Sequence, residues 1–308
     1  MRLWTILPDE NLTDDRAYLV GFLKGCFETV WVTRAARTAL DCPDPPGRPD
    51  VILNVVSSRS PELLAAIDKR AAEWGVPVSP PSRGSWRTED KRTYLEDFPD
   101  VSPPTRVVRN LAELEAIRRE FGGDVVIKDP FGDRGNGVQR VRGTEDLDEA
   151  EALLQSTIRA TKELIVQPFF SGFTQGDKRV VLQRTPDNSF EIVAYIGRIP
   201  PEGGWKSNIR AGGSSVRTDL TDEERAFAIA LAPRAGIDNV GLDIAWHAGR
   251  LWYIEHNQGY GGIIDFDLDQ NCCNVRRTVE FLTHIARHGR PEPDHTALPV
   301  QEASYARE

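Results

Sequence analysis

Residues 241–262 read GLDIAWHAGRLWYIEHNQGYGG. Val240 to Trp246 is apolar apart from Asp243, and Leu251 to Ile254 is apolar again before Glu255, His256 and Asn257. Between them Ala248-Gly249-Arg250 has the composition of a tight turn, so a β-hairpin is expected. A three-residue loop pairs His247 with Leu251 and sets Asp243 opposite Glu255. Opposed residues in such a pair have Cβ atoms about 4.5–5.5 Å apart. Side chains alternate faces along a strand, so Asn257 shares the face of Glu255. Two carboxylates and a carboxamide then converge at one end of the ribbon. Hard oxygen ligands of this kind suit Mg²⁺, which takes one or two carboxylates and leaves positions for phosphate and water. A sheet end with solvated charges is the other reading of the same residues.

The chain has 308 residues, more than one core usually serves, so two or three lobes are expected. A hydrophobic content of 40% and a charged content of 28% belong to a soluble globular protein. Its 38 basic and 47 acidic residues leave a net charge of −9. That argues against nucleic acid as the main partner, which needs a basic field, but leaves room for a local basic pocket. No apolar run reaches the length of a bilayer span, and MRLWTILPDE lacks the pattern of a signal peptide. A cytoplasmic protein without a membrane partner is expected. Cys26, Cys42, Cys272 and Cys273 show no CxxC spacing and read as reduced thiols, buried as small apolar residues.

Taken in order, residues 2–7 and 28–33 read as strands around a helix at 14–26, and 51–56 as a third strand before a helix from about 60 to 74. This β-α-β-β-α order predicts a small α/β lobe with a mostly parallel sheet. The Pro- and Ser-rich run 77–86 (PVSPPSRGSW) reads as the boundary after it. Residues 87–162 read as a compact α+β lobe, with a helix at 89–98, strands near 124–128 and 141, and helices at 111–121 and 145–159. From residue 163 to 290 strands dominate (ELIVQPFF, KRVVLQR, SFEIVAYIGRI), with helices at 221–235 and about 269–288. Residues 291–308 read as a tail.

Chemistry gathers at the loops. Lys128 ends a strand and is followed by DPFGDRGNGV, a glycine-rich turn that can aim backbone N–H groups at a phosphate while the lysine adds a point charge. An ordinary hairpin turn is the competing reading. The pattern is neither a Walker loop nor a dinucleotide fingerprint. Asp177, Lys178 and Arg179 stand where a loop becomes a strand, and RIPPEGGWKSNIRAGG adds Arg198, Lys206, Asn208 and Arg210 beside glycine pairs. Arg179 and Arg198 interrupt apolar strand patterns, where an unpaired charge is costly, so each is expected to face a cleft or an anion. Cations beside a Mg²⁺ site are what phosphoryl transfer requires. His247 and His256 form no triad with a nucleophile, and no HExxH, GxSxG or CxxC is present.

At this point the chain resembles the ATP-grasp superfamily, most closely the prokaryotic glutathione synthetases. The resemblance runs over about residues 87–285. It rests on DKRTYLEDFPDVSPPTRVV, VVIKDPFGDRGNGV, QPFF…GDKRVVL, RIPPEGGWKSNIRAGG, LT..E and GLDI…IEHN standing in the family's order. It implies an α/β and α+β molecule of three lobes: a small N-terminal α/β lobe, a central lid and a mostly antiparallel catalytic lobe. By the same resemblance Lys91 and Lys128 are the nucleotide-binding lysines. Gly132, Gly135 and Gly137 belong to the loop over the phosphates, and Gln167 and Phe169 to the hinge at adenine. Asp177 and Arg179 precede the catalytic sheet, and Asp243, Glu255 and Asn257 are the magnesium ligands. Arg198, Lys206, Asn208 and Arg210 lie in the segment that approaches the acyl phosphate or substrate. The implied activity is ATP- and Mg²⁺-dependent joining of a small carboxylate to an amine through an acyl phosphate. A small-molecule kinase or a non-catalytic nucleotide-binding protein on the same fold are the alternatives. Pairing into a homo-oligomer is implied by analogy alone. The chain departs from the family at Gln258-Gly259-Tyr260-Gly261-Gly262 and at Arg210, both toward the substrates. The extra glycines leave room for a bulkier acceptor, and Arg210 offers a partner to another carboxylate.

Overall fold

The computed structural model describes residues 1–8, 14–35, 44–55, 61–133, 135–260 and 273–291. The first lobe is built from β1 (Arg2–Pro8), α1 (Asp14–Cys26), β2 (Thr29–Ala35), β3 (Val51–Asn54), α2 (Pro61–Trp74) and β4 (Val78–Ser79). The four strands form one parallel sheet in the order β2-β1-β3-β4. Alternation along β1 explains its two-sided burial. Trp4 and Ile6 pack with Leu63, Ile67 and Ala71 of α2. Leu3 and Leu7 pack with Leu19, Val20 and Leu23 of α1.

The run 77–86, read above as a boundary, is structured. It supplies β4 and the first half of α3 (Ser82–Glu89), which is followed by the short α4 (Tyr94–Asp97). The second lobe comprises β5 (Arg106–Val108), α5 (Leu111–Glu120), β6 (Val125–Lys128), β7 (Val138–Val141), α6 (Leu147–Gln155) and β8 (Leu164–Pro168). Its antiparallel sheet has the order β5-β8-β6-β7. A division at residue 162 is therefore too early for the sheets, because β8 pairs with β5 and β6 and carries Val166 into their core.

The third lobe holds β9 (Asp177–Arg184), β10 (Phe190–Ile199), β11 (Ser214–Val216), α7 (Asp222–Leu231), β12 (Asn239–His247) and β13 (Arg250–Gln258). These strands form an antiparallel sheet in the order β11-β10-β9-β12-β13. One face covers α7 through Val180, Leu182, Leu242, Ile244 and Tyr253. The LT..E motif is a capping box there: Thr221 Oγ1 accepts from Glu224 N at 3.2 Å, and Glu224 Oε2 accepts from Thr221 N at 2.8 Å. The last helix, α8 (Asn274–His288), returns to the first lobe, where Val275, Phe281, Leu282 and Ile285 meet Leu3 and Val51. A second tie is buried Asp238, which accepts from Ser79 Oγ at 2.8 Å and from Arg290 Nη2 at 2.6 Å.

Cys26 is exposed, against the expectation of a buried thiol, because it closes α1 on the solvent side. Cys273 packs half-buried beside Val181 and Val193. Cys42, Cys272 and the tail beyond 291 lie outside the described residues, as does the start of the expected last helix at 269. Among the described residues no helix is long and apolar enough to cross a membrane.

Candidate active site

The hairpin reaches the expected pairing by another route. The turn is two residues, Ala248 and Gly249, at φ +51° and +75°, so His247 pairs with Arg250 and Trp246 with Leu251. Positive φ at both central residues is the twist-compatible hairpin turn. Continued without interruption, this register would set Asp243 opposite Ile254. A β-bulge between Asp243 and Ile244 on one side, with Ile254 as the extra residue on the other, shifts it by one. Asp243 then faces Glu255, and Gly241 faces Asn257. Ile254 and Glu255, although adjacent, both reach the cleft. Behind the bulge Tyr253 and His256 come to one face, with Tyr253 Oη 2.5 Å from His256 Nδ1. His256 is buried against Phe98 and Tyr94, and burial pushes it down to about 3, so it is neutral.

The cleft lies between the second and third lobes. Lys91, Lys128, Gly132 and Gly135 line it from one side, Gln167 to Phe170 from the connection, and Asp177, Arg198, Lys206, Asn208, Asp243 and Glu255 from the catalytic sheet and its loop. Lys128 closes β6 and is 9% exposed. Burial lowers it from its ordinary value to about 8, with the Lys91 charge adding to that and the Glu255 and Asp243 carboxylates opposing it. The Lys91 ammonium donates to Gly132 O, and that of Lys206 to Gly135 O at 3.3 Å. Burial also lowers Lys206. Asn208 lies against Gly135. Gly137 is not on the cleft wall. It closes the glycine turn at φ +66°, accepting from Asp129 N at 2.8 Å. Phe169 has the Arg140 guanidinium 3.7 Å above its ring and Trp205 edge-on at 5.8 Å.

Arg179 and Arg198 face an anion, as their strand positions require, but it is the protein's own. Arg179 grips both oxygens of Asp243 at 2.8 Å through Nε and Nη2, and Arg198 Nη2 reaches Oδ2 at 2.7 Å. Burial works against the charge of Asp243, yet the two guanidinium groups outweigh it and hold the carboxyl at about 2. Arg198 Nε also donates to Asp177 at 2.6 Å, and the Ser207 hydroxyl donates to the other oxygen of Asp177. Burial raises Asp177, the nearby Asp243 charge adds to this, and Arg198 opposes both. Asp177, on the cleft wall, thus anchors Arg198 and the Ser207 loop. Arg179 stands beside Asp243 but off the cleft wall, and so does Asn257. The side chain of Arg210 lies outside the described residues, as do Arg134, Gly261 and Gly262.

The donor set fits a hard divalent cation. The side chains of Glu255 and Asn257 make no hydrogen bond or ion pair among the described residues, and both belong to the face that carries Asp243. Among those residues no group of three His, Cys, Asp or Glu side chains is placed to hold a metal, so beyond the two carboxylates a cation here would draw on the Asn257 amide, substrate oxygens or water. Gly259 has a packing reason: a Cβ there would lie 2.3 Å from Asn239 Oδ1. It does not open space for an acceptor. Sequence reasoning passed over Ser207, Trp205 and Thr105. Trp205 carried a signal, an aromatic inside a glycine loop, while Ser207 and Thr105 carried none.

Residues 91–249 match the model of the prokaryotic glutathione synthetase ATP-grasp domain. The chain belongs to this ATP-grasp family. It is 30% identical over 166 residues to the glutathione synthetase of Mesorhizobium japonicum, covering 51% of this chain and 49% of that protein. To the glutathione synthetase of Parasynechococcus marenigrum it is 36% identical over 145 residues, covering 46% and 45%. The chain thus spans about half the length of the curated relatives it matches. The fold extends further. D-cycloserine synthetase DcsG superposes with a TM-score of 0.69 at 17% identity, covering 94% of this chain and 100% of that one. D-alanyl-alanine synthetase A of Vibrio cholerae gives 0.65 at 14% identity, covering 93% and 97%. These likenesses cover the first lobe as well, and they show the three-lobed ATP-grasp architecture.

Proposed function

We propose that this ATP-grasp protein is an ATP-dependent carboxylate–amine ligase of small molecules. The observation that carries the reading is one cleft in which the Asp243–Glu255 pair looks across at Lys128, Lys91 and the glycine turn. One wall would hold a triphosphate by lysines and backbone. Asp243 and Glu255 on the other, with Asn257 on the same strand face beside them, would hold Mg²⁺, which would supply positive charge to shield the phosphates. The substrate carboxylate oxygen attacks the γ-phosphorus, the β–γ bridging bond breaks and ADP leaves. The amine then attacks the acyl carbon, phosphate departs with the C–O bond electrons, and the ammonium proton is lost to solvent. Lys128 and Lys206 stabilise charge on the transferring group and on the tetrahedral centre. Asp177 and Arg179 hold Arg198 and Asp243 in place. The loop bearing Trp205 and Lys206 reaches Phe169 and Gly135, covering the cleft and excluding water from the acyl phosphate.

The names of the relatives support amino acids or short peptides as substrates. Which acid and amine are joined is decided by an ADP-release screen over amino acids and small carboxylic acids, with mass spectrometry of the products. ADP together with a new amide is the expected result. A phosphorylated alcohol, or nucleotide binding without turnover on any pair, would overturn the ligase reading.

A further inference from the structure

Thr105, between α4 and β5, is buried, and its hydroxyl donates to Pro103 O at 2.6 Å. A hydroxyl carries a single proton, and a carbonyl can only accept. With that proton committed to Pro103, Thr105 Oγ1 can only accept from its other partner, Gln167, 2.9 Å away. The end of the Gln167 amide that faces Thr105 is therefore the nitrogen. Amide orientation is normally ambiguous and has to be fixed by the surrounding network, which here leaves one choice. Gln167 is 4% exposed and lines the cleft, and its Oε1 accepts no hydrogen bond among the described residues. Val126, Val138, Phe169 and Ile254 give the same cleft apolar walls, while Lys128 and Lys91 supply its charge. An apolar slot with one oriented polar group suits a flat heterocycle.

We propose that Thr105 is a positioning residue for base selection: acting through Gln167, it fixes a hydrogen-bond acceptor in the slot and so favours a 6-amino purine over a 6-oxo purine. The inference rests on the nucleotide reading of this cleft. Adenine presents N–H groups at position 6, where hypoxanthine presents an oxygen. Oxygen against oxygen leaves both acceptors unpaired. Turning the amide to offer N–H to the 6-oxo group would set Oε1 against Thr105 Oγ1. The hydroxyl would then have to leave Pro103 O, stranding a carbonyl next to buried Thr105. The discrimination is therefore held by a hydroxyl one residue removed from the base.

The test is calorimetric titration of the full chain with ADP and with inosine diphosphate. Thr105→Val lowers the ADP-to-IDP affinity ratio by about tenfold, the scale of one mispaired hydrogen bond, and Thr105→Ser keeps the wild-type ratio. Gln167→Leu lowers the ratio without touching Thr105. In a Gln167→Glu background, where either carboxylate oxygen is an acceptor, adding Thr105→Val leaves the ratio unchanged. A ratio unmoved by both Thr105→Val and Gln167→Leu, in protein that binds ADP, overturns the inference alone. Failure of the wild type to bind either nucleotide overturns the nucleotide reading and this inference with it.

Discussion

The two walls of the cleft carry the same sign of charge in opposite states. On the lid side the Lys128 side chain has no hydrogen bond or ion pair among the described residues, and the ammonium groups of Lys91 and the facing Lys206 donate to glycine carbonyls, that of Lys206 also lying 5.3 Å from the Trp205 ring. On the sheet side Arg179 and Arg198 are bound to Asp243 and Asp177. A planar guanidinium suits permanent bidentate pairing, whereas an ammonium is a movable point charge that tolerates burial by shifting its pKa. The lysines are thus the cations available to an incoming phosphate. The arginines belong to the framework that holds the carboxylates.

The largest effect should come from breaking the framework. Asp243→Asn leaves the buried Arg198 and the half-buried Arg179 short of a counter-charge, and loss of one partner of a buried pair costs about 3–5 kcal/mol. Urea unfolding should show that loss, together with loss of activity. A variant as stable as wild type would mean that the arginines find other partners and that the two walls differ less than argued. Lys128→Met should do the reverse: ADP affinity falls by about a hundredfold, the scale of one lost phosphate-stabilising group, while unfolding moves by less than about 1 kcal/mol because no native partner is lost. Equal damage to stability from both variants would erase the distinction.

How much of this was legible in the sequence differs by element. The Asp243–Glu255 pairing was, but through a wrong turn length cancelled by an unseen bulge. Alternation of apolar and polar residues reports faces, and a bulge changes the register without changing composition. The parallel order of the first sheet followed from βα alternation. The membership of β8 in the second sheet did not, because a buried strand reads the same in either neighbouring sheet. The role of Arg179 and Arg198 was half legible: their strand positions demanded an anion, and only the fold showed that Asp243 and Asp177 supply it. The Thr105–Gln167 contact joins residues 62 positions apart with no periodicity to betray it.

The bulge itself makes a smaller prediction on the sheet side. The Tyr253–His256 hydrogen bond spans it on the buried face, and His256 Nε2 already lacks a partner among the described residues. Tyr253→Phe should cost about 1–2 kcal/mol, the scale of a buried acceptor left unmade, and should raise the Mg²⁺ concentration needed for ADP formation. The pair Tyr253→Phe/His256→Val should cost less than the sum of the single changes, since neither then strands the other. Strict additivity would show that the bond does not hold the bulge.

The smallest effect is a titration confined to the lid side. Lys128 is charged below about pH 8 and neutral above it. A bound phosphate favours the charged form, so metal-free ADP binding should be flat below about pH 8 and weaken above it, by at most about tenfold per pH unit. The complex must then hold the proton to higher pH than the free protein does, and binding near pH 8.5 should take up protons, measurable by calorimetry in buffers of different ionisation enthalpy. Lys128→Arg stays charged throughout and should abolish both the inflection and the uptake. The arginines of the sheet wall cannot mimic this behaviour, because a guanidinium is not deprotonated in this range, and at Arg198 the Asp243 and Asp177 carboxylates outweigh burial and raise it further. A wild-type affinity that is level from pH 7 to about 9.5 would place the phosphate contact on them and reverse the assignment of the two walls.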